Sequence, residues 1–477
     1  METECTQQAF GFHEVGGREI VARFDGGRVT SDGGGILLRE IEERFRFVER
    51  FAACFTDHRD PESIEHPLVD LLKQRLFGLC LGYEDLHDHD LLRHDAALAV
   101  LVGKSDPEGS ARHNPRDRGK PLAGKSTLNR LELTPVGADG KHRYKKTVAD
   151  VHAIHNFLVD AFLIQHATPP ARIVLDLDAT DDPIHGHQLG RFFHGYYDNY
   201  CFLPLYVFCG DHPLLALLRP SNIDVAAGAV KHLARIVARI RLFWPNVEIV
   251  IRGDSGFCRE ELLRWCEEHG VDYVFGLAKN RRLLRMLGQE LHVAKLLFEQ
   301  TGTASRVFQD FQYRTRKSWS RDRRVIGKAE HLQKGSNPRF VVTSLSAEKF
   351  GARELYEREY CARGDMENRI KEQQLCLFAD RTSCHTLRAN QLRLAFSTVA
   401  YMLLRALREF GLKGTALETA QADTIRLRLL KIGAVIRVTV RKVWIALSEA
   451  WPWRELFGQV YDQLTSWRKS PPVISTG

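Results

Sequence analysis

Apolar residues recur at three- and four-residue intervals from about Gly34 to Leu101, in GILLREIEERF and HPLVDLLKQRLFGLCLGYEDL, and this spacing predicts a small helical domain. A further helix is expected over Val148–Gln165. The period then changes. RIVLDLDA, CFLPLYVFC, VEIVIRGD and VDYVFGLA are short apolar runs that read as buried strands, and LLALLRP reads as a strand paired by a hairpin. Between them AAGAVKHLARIVARIRLF and REELLRWCEEHG have helical spacing, the second closed by Gly270.

Strands first and then a βαβαβ run suit an α/β core of the RNase H-like kind. After Lys279 that order breaks. RVFQDFQYRTR, RRVIGKAEHL and PRFVVTSL alternate between turn residues and predict an antiparallel β insertion from about Leu283 to Leu345. Between Arg306 and Arg339 ten Lys/Arg stand against three acids, so one face of that insertion is expected to be basic. Helical spacing returns from about Gly364 to Phe410. RLRLLKIGAVIRVTVRKVWIAL then predicts a helix or turn and a strand with Ile436, Val438 and Val440 on one face and Arg437, Thr439 and Arg441 on the other.

A chain of 477 residues is long enough for about three domains. Its 44% hydrophobic and 27% charged residues are those of a soluble globular protein, and no run approaches a membrane span. The polar start, METECTQQAFGFHE, is unlike a secretory signal, which points to the cytoplasm by default. Ten scattered cysteines with no Cys-x-x-Cys pair indicate neither a zinc ribbon nor a disulfide framework. The net charge of +8 is modest, and local clustering is more informative: Lys104 to Lys146 carries eleven Lys/Arg against five acids, a loop or arm suited to an acidic polymer or a solvated linker.

Three carboxylates stand out. In RIVLDLDA, Asp176 and Asp178 share one face at the C-terminal end of a strand; Asp254 ends the next apolar run and is followed by Ser-Gly; Glu367 lies on a helix in YCARGDMENR. Ligands favour strand ends in open αβ sheets. Hard divalent cations favour carboxylate oxygens, and two ions about 4 Å apart can drive an in-line displacement at phosphorus. Tyr360, Arg363 and Glu367 are spaced i, i+3 and i+7, on one helical face.

The resemblance becomes specific here. Tyr360-x2-Arg363-x3-Glu367 is similar to the Tyr-Arg-Glu signature of insertion-sequence DDE transposases of the IS-four kind, with Asp178-Ala-Thr resembling their first-acid motif and Asp254 standing where the second acid is expected. DATDDPIHG, GYYDNYCFLPLYVF, RGDSGF and DYVFGLAKN resemble the IS-thirteen-eighty branch, and the likeness extends from GYEDLHDHDLLRHD to TIRLRLLKIGA. The resemblance implies an enzyme that binds terminal inverted repeats, cleaves the ends and joins 3′-hydroxyls to target DNA, with Asp178, Asp254 and Glu367 holding Mg²⁺ or Mn²⁺. Asp176 is the fallback ligand or a supporting acid. Tyr360 and Arg363 would hold phosphates, the planar guanidinium fork being suited to them. The signature lysine falls on Gln374, and Lys371, one turn after Glu367, covers part of its role. The partners implied are double-stranded DNA and a second copy, with no membrane and no nucleotide cofactor.

On this reading residues 1–165 form a mostly helical end-binding region with a basic linker at 104–146; 166–282 the first part of the core; 283–345 the β insertion; 346–410 the core helix with the third acid; and 411–477 a C-terminal region for dimerisation or DNA contact. Rival signals remain. Gly119 to Ser126 matches the P-loop pattern, which would make a nucleotide-hydrolysing enzyme acting on nucleic acid; but ARHNPRDR before it cannot be a buried strand, and Pro121 removes an amide. GKSTLNRLE is better read as a short helix capped by Ser126, with Lys125 and Arg130 available to DNA. A non-catalytic DNA-binding descendant of a transposase is the other alternative. HDHDLLRHD (His87 to Asp95) reads as a polar helix start rather than a zinc site, and His185-Gly-His187 as a loop. Trp319, among Arg314, Arg316, Lys317, Arg321, Arg323 and Arg324, suits stacking on an unpaired base or packing inside the insertion; the Arg437/Arg441 face suits phosphate or solvent.

Overall fold

In the computed structural model, which describes residues 8–184, 186, 188 and 191–466, the chain divides into two compact units: residues 149–398, and residues 1–148 together with 399–477. The first is built on a mixed sheet. Its strands are β1 (Arg172–Ala179), β2 (Leu205–Cys209), β3 (His212–Leu217), β4 (Glu248–Gly253), β5 (Asp272–Leu277), β6 (Ser305–Tyr313), β7 (Arg323–Leu332) and β8 (Arg339–Thr343). Their spatial order is β3-β2-β1-β4-β5-β8-β7-β6. β1, β4 and β5 are parallel, and every other pairing along that order is antiparallel.

Strand alternation sorts the core into two layers. Ile173, Leu175 and Leu177 of β1 pack with Val159 and Phe162 of α1 (Val151–Leu163) and with Leu233 and Ile236 of α2 (Ala229–Phe243). Val174 points the other way, towards a second cluster in which Val250, Val274, Ile326 and Val341 meet Leu355 and Tyr356. α2 and α3 (Glu260–Glu268) carry the chain to β4 and from β4 to β5, and Gly270, at φ 60°, takes the left-handed turn after α3.

Several expectations change. CFLPLYVFC is two strands, Asn199–Phe202 and β2, separated by Leu203-Pro204. Residues 281–286 and 288–301 are helical, and β6 to β8 extend the main sheet, because β8 pairs with β5 from Phe340 opposite Leu277 to Thr343 opposite Val274. The region expected to be an antiparallel insertion is thus continuous with the core sheet. Part of its positive charge is neutralised: Arg323 binds Glu260 and Glu267 of α3, Arg324 binds Asp310, and Lys328 and Arg306 share Glu330. α1 belongs with the sheet rather than with an N-terminal domain.

The other unit joins the two ends of the chain, since Ala434–Val438 pairs with Arg28–Thr30. That C-terminal strand stops at Val438; Thr439 and Lys442 close a hairpin turn, leaving Val440 fully exposed, so Val440 and Arg441 do not continue the faces expected of them. A hairpin turning at Gly16-Gly17 and a helix at Arg454–Ser466 were not anticipated. The basic stretch is tied down by acids, with Lys104 on Asp70, Arg112 on Glu65 and Lys125 on Asp90. Among the described residues no disulfide is formed, and no described helix is long and apolar enough to cross a membrane.

In this unit the Glu42 carboxylate is buried and accepts the Val48 and Glu49 amides at the start of the helix Phe47–Ala52. Burial pushes it up from 4.5 to about 7. Between those pH values the folded chain holds a proton that the unfolded chain releases, so this residue's contribution to stability falls by roughly 3 kcal/mol as pH rises through the window. Glu42→Gln is expected to flatten that part of the pH dependence, as measured by denaturant unfolding at pH 5 and pH 7.5.

Candidate active site

Parallel pairing puts Gly253 of β4 opposite Leu177 of β1, so Asp254, the next residue, stands beside Asp178 at the same sheet end. On the other side of β1, Tyr206 of β2 lies directly opposite Asp178. Asp254 accepts the Gly256 amide at 2.8 Å, and this tight turn bends the chain away from the sheet immediately after the acid. Asp178 accepts a short-range bond from the Ala179 amide at 2.9 Å.

The third acid arrives on a helix of changing pitch. From Ala352 the backbone runs through one α turn, a π segment (Leu355–Tyr360) and a 3₁₀ turn (Cys361–Arg363) into α4 (Gly364–Leu377). Tyr360, Arg363 and Glu367 straddle these transitions, so the single regular face expected from their spacing is replaced by an interrupted helix, a form often found at functional sites. Arg363 forms an ion pair with Glu367 at 2.7 Å.

The three acids act on one another through their charge. Burial, with the charges of Asp254 and Glu367 adding to it and Arg363 opposing, pushes Asp178 up to about 6. Burial works against the Arg363 charge, yet Asp178, Glu367 and Asp254 hold its guanidinium above the ordinary arginine value. Carboxylates from β1, β4 and α4 thus share one field with a single guanidinium among them. Among the described residues, no group of three or more His, Cys, Asp or Glu side chains is set to hold a metal ion.

Of the two roles expected of Asp176, fallback ligand or supporting acid, its contacts match the second. It is only 4% exposed, and both its oxygens are bound by Arg252, with Nη2 to Oδ2 at 2.7 Å; Arg252 also donates to the Glu359 carbonyl. Arg172 clasps the Glu359 carboxylate at 2.7 Å. These two arginines fasten the π segment to β1 and β4, and Asp176, committed to Arg252, is the counter-ion of a clamp rather than a spare ligand. Tyr360 is fitted by Gly276: a Cβ there would lie 2.6 Å from the tyrosine hydroxyl and 2.9 Å from the Ser255 amide. Arg252 and Gly276 were missed in the sequence, although an arginine inside an apolar strand and a glycine inside VDYVFGLA were visible signals.

The remaining candidates separate. Lys371 is exposed, and Gln374 donates to the Asp181 carbonyl at 3.1 Å, at the loop following β1. Trp319 is 7% exposed, edge-on to Tyr313 and under Arg323, so its ring is committed to the core and is not offered to a base. Lys125 and Arg130 belong to the other unit: Lys125 pairs with Asp90, and Arg130 is exposed with its guanidinium 4.6 Å from the Tyr144 ring centre. The helix there begins at Lys125 with Gly124 before it, and Asp90, not Ser126, accepts the first amide. The turn Pro115–Asp117, not a strand, precedes the P-loop-like residues, so the support a nucleotide loop requires is missing. In HDHDLLRHD, His89 is buried against Gln74 and Asp95 caps the next helix, as a polar helix start should. His185 and His187 lie outside the described residues.

Two substitutions test the clamp and the seat. Arg252→Met leaves Asp176 charged and unpaired, with an expected loss of about 3–5 kcal/mol by denaturant unfolding, largely restored by adding Asp176→Leu. Gly276→Ala should cost about 1–3 kcal/mol through overpacking, and adding Tyr360→Phe should recover part of it, because the hydroxyl is the nearest obstruction.

A family model described as Transposase DDE domain group 1 matches residues 12–469. No curated protein matches the chain. The family's members are metal-dependent DNA-cleaving enzymes that generally use divalent ions and act on DNA, and with the match spanning nearly the whole sequence, the chain belongs to the DDE transposases.

Proposed function

We propose that this transposase mobilises an insertion sequence of the IS-four kind, in the IS-thirteen-eighty branch, binding its terminal inverted repeats, cleaving the ends and joining their 3′-hydroxyls to target DNA. The observation that supports this reading is that Asp178 and Asp254 stand at the C-terminal ends of the paired strands β1 and β4, with the charges of Asp254, Glu367 and Arg363 acting on Asp178 and Arg363 paired with Glu367. The order β3-β2-β1-β4-β5, with an antiparallel hairpin on one side of β1 and two parallel crossovers on the other, supports an RNase H-like core.

The donor chemistry fits a hard divalent cation in kind: Asp178, raised first by burial, also feels the negative charges of Asp254 and Glu367. As they stand Arg363 occupies Glu367, so the set is matched in kind and not closed as a cage. Asp178, Asp254 and Glu367 would hold Mg²⁺ or Mn²⁺, which would supply charge neutralisation and an activated oxygen nucleophile. The protein's own part is positional. The Arg252–Asp176–Glu359 clamp fixes the helix that brings Glu367, the Gly276 seat fixes Tyr360, and the half-buried Arg363 offers a fork to a phosphate oxygen. Lys371, Lys125 and Arg130 are exposed or half-exposed cations available to the DNA backbone. The protein works in the cytoplasm, and two copies hold the two ends.

Purified protein, its flanking terminal repeats and Mg²⁺ test the proposal. Asp254→Asn is expected to lower cleavage by about two to three orders of magnitude while end binding persists. Equal cutting by variant and wild type would remove this trio from the mechanism, and binding without metal-dependent cleavage by wild type would favour a non-catalytic descendant.

A further inference from the structure

On the opposite layer of the sheet from Asp178, α1 and α2 bring six basic groups together: His152 and His155 on α1, Lys231, His232 and Arg235 on α2, and Arg219 just after β3. The His155 and His232 rings meet edge to face at 5.9 Å. His155 is 1% exposed, and neither ring nitrogen has a hydrogen-bond partner. Two buried guanidinium nitrogens of Arg235, Nε and Nη2, are also unpartnered, as is Nη2 of Arg219. The rest of Arg219 is used to hold the loop, donating to the Leu203, Val225 and Ala227 carbonyls.

Among the described residues the acids nearby balance this cluster only in part, Asp224 acting on Arg219. Asp224 binds Arg259 at 2.9 Å, and Asp150 caps the His152 and Ala153 amides. Among the described residues no carboxylate pairs with Arg235. Burial lowers His155 to about 3 and His232 to about 4, with Arg235 the next cause for each, so the imidazoles are kept neutral first by burial and then by the neighbouring guanidinium. Buried donors left without acceptors cost about 1–3 kcal/mol each, more where charged, and a cluster retaining several of them is arranged for an acceptor from outside.

The position narrows what that acceptor is. α2 starts here, after Gly228, so its first-turn amides add to the field. The loop from Arg219 to Gly228 then passes Val225, whose side chain would touch a Cβ on Gly256 at 3.1 Å, and Gly256 is the residue whose amide holds Asp254. The basic cluster and Asp254 are therefore joined by one short loop. A phosphate group suits it: several oxygen acceptors, a negative charge, and a shape that a guanidinium fork and imidazole donors can hold together.

We propose that His155, His232 and Arg235, backed by Arg219, form a phosphate-binding site that receives a group entering at the half-exposed Arg235 and His232. If the group belongs to DNA, the site grips the strand beside the one being cut, an assignment that rests on the transposase reading; the same chemistry would also take free inorganic phosphate.

The test uses the full-length chain, with Arg235→Gln, His232→Gln and the charge-keeping Arg235→Lys, each checked for an unchanged circular dichroism spectrum. Duplex carrying a terminal repeat is titrated over a range of salt, and thermal melting is followed with inorganic phosphate against chloride at constant ionic strength. The expected result is a drop of about one in the slope of log K against log salt for Arg235→Gln, less for Arg235→Lys, with the wild-type slope kept by Asp254→Asn. A reduced slope assigns a DNA phosphate. A phosphate-dependent rise in Tm that Arg235→Gln abolishes, with the slope unchanged, assigns the free anion. Folded Arg235→Gln and His232→Gln proteins matching wild type in both measurements would overturn the site. Absence of DNA binding by wild type, with phosphate stabilisation intact, would sink the transposase reading and leave the site standing.

Discussion

The buried contact between Asp176 and Arg252 is the constraint on which the rest of the candidate site depends. A guanidinium placed inside a sheet must find its counter-charge and fill its remaining donors, and Arg252 does so with the carboxylate of one strand and the carbonyl of Glu359 on a helix distant in sequence. Arg172 repeats the arrangement through the Glu359 side chain. The outcome is geometric: the segment carrying Tyr360, Arg363 and Glu367 is held against the strands that end in Asp178 and Asp254. Charge-assisted hydrogen bonds suit this role because their direction is fixed as well as their strength.

The helix pays for that fixation with irregularity. A uniform α-helix from residue 352 to residue 377 would present its side chains at a constant angle, whereas the π and 3₁₀ turns rotate Tyr360 and Arg363 relative to Glu367. Gly276 accommodates the result, since only a residue without a Cβ lets the tyrosine hydroxyl approach β5 so closely. Arg363 then answers the repulsion among the three acids. The positive cluster between α1 and α2 lies on the other layer, tied to Asp254 by the Val225 loop, so opposite charge signs are segregated to the two sides of one sheet end.

The periodicity of the sequence was sufficient for the longer strands and helices of the core between Arg172 and Leu277, but not for the break at Leu203-Pro204 or the short strands Asp182–Pro183 and Phe192–His194. Its reading of the later β segments was right in type and incomplete in placement. RRVIGKAEHL is a strand, but nothing in its own pattern tells whether it pairs with a private sheet or with β5; that choice depends on the edge left open by the core. The same limit explains Trp319. Surrounded in sequence by arginines, it is enclosed in space by Tyr313 and Arg323, because Arg323 turns towards Glu260 and Glu267 of α3 and Arg321 towards Glu267.

By itself the sequence determined the alternating core, the acids at two strand ends and the Tyr-Arg-Glu spacing, all properties of local order in which a residue's neighbours along the chain set its face. Only the tertiary structure decided that Asp176 belongs to Arg252 and Asp178 to the shared field, that Glu367 is met by Arg363, and that the N- and C-terminal segments form one unit. Two aspartates on the same face of one strand are indistinguishable by pattern. What separates them is which charge lies across the gap, and that is fixed by strand register and by contacts between residues 76 to 187 positions apart.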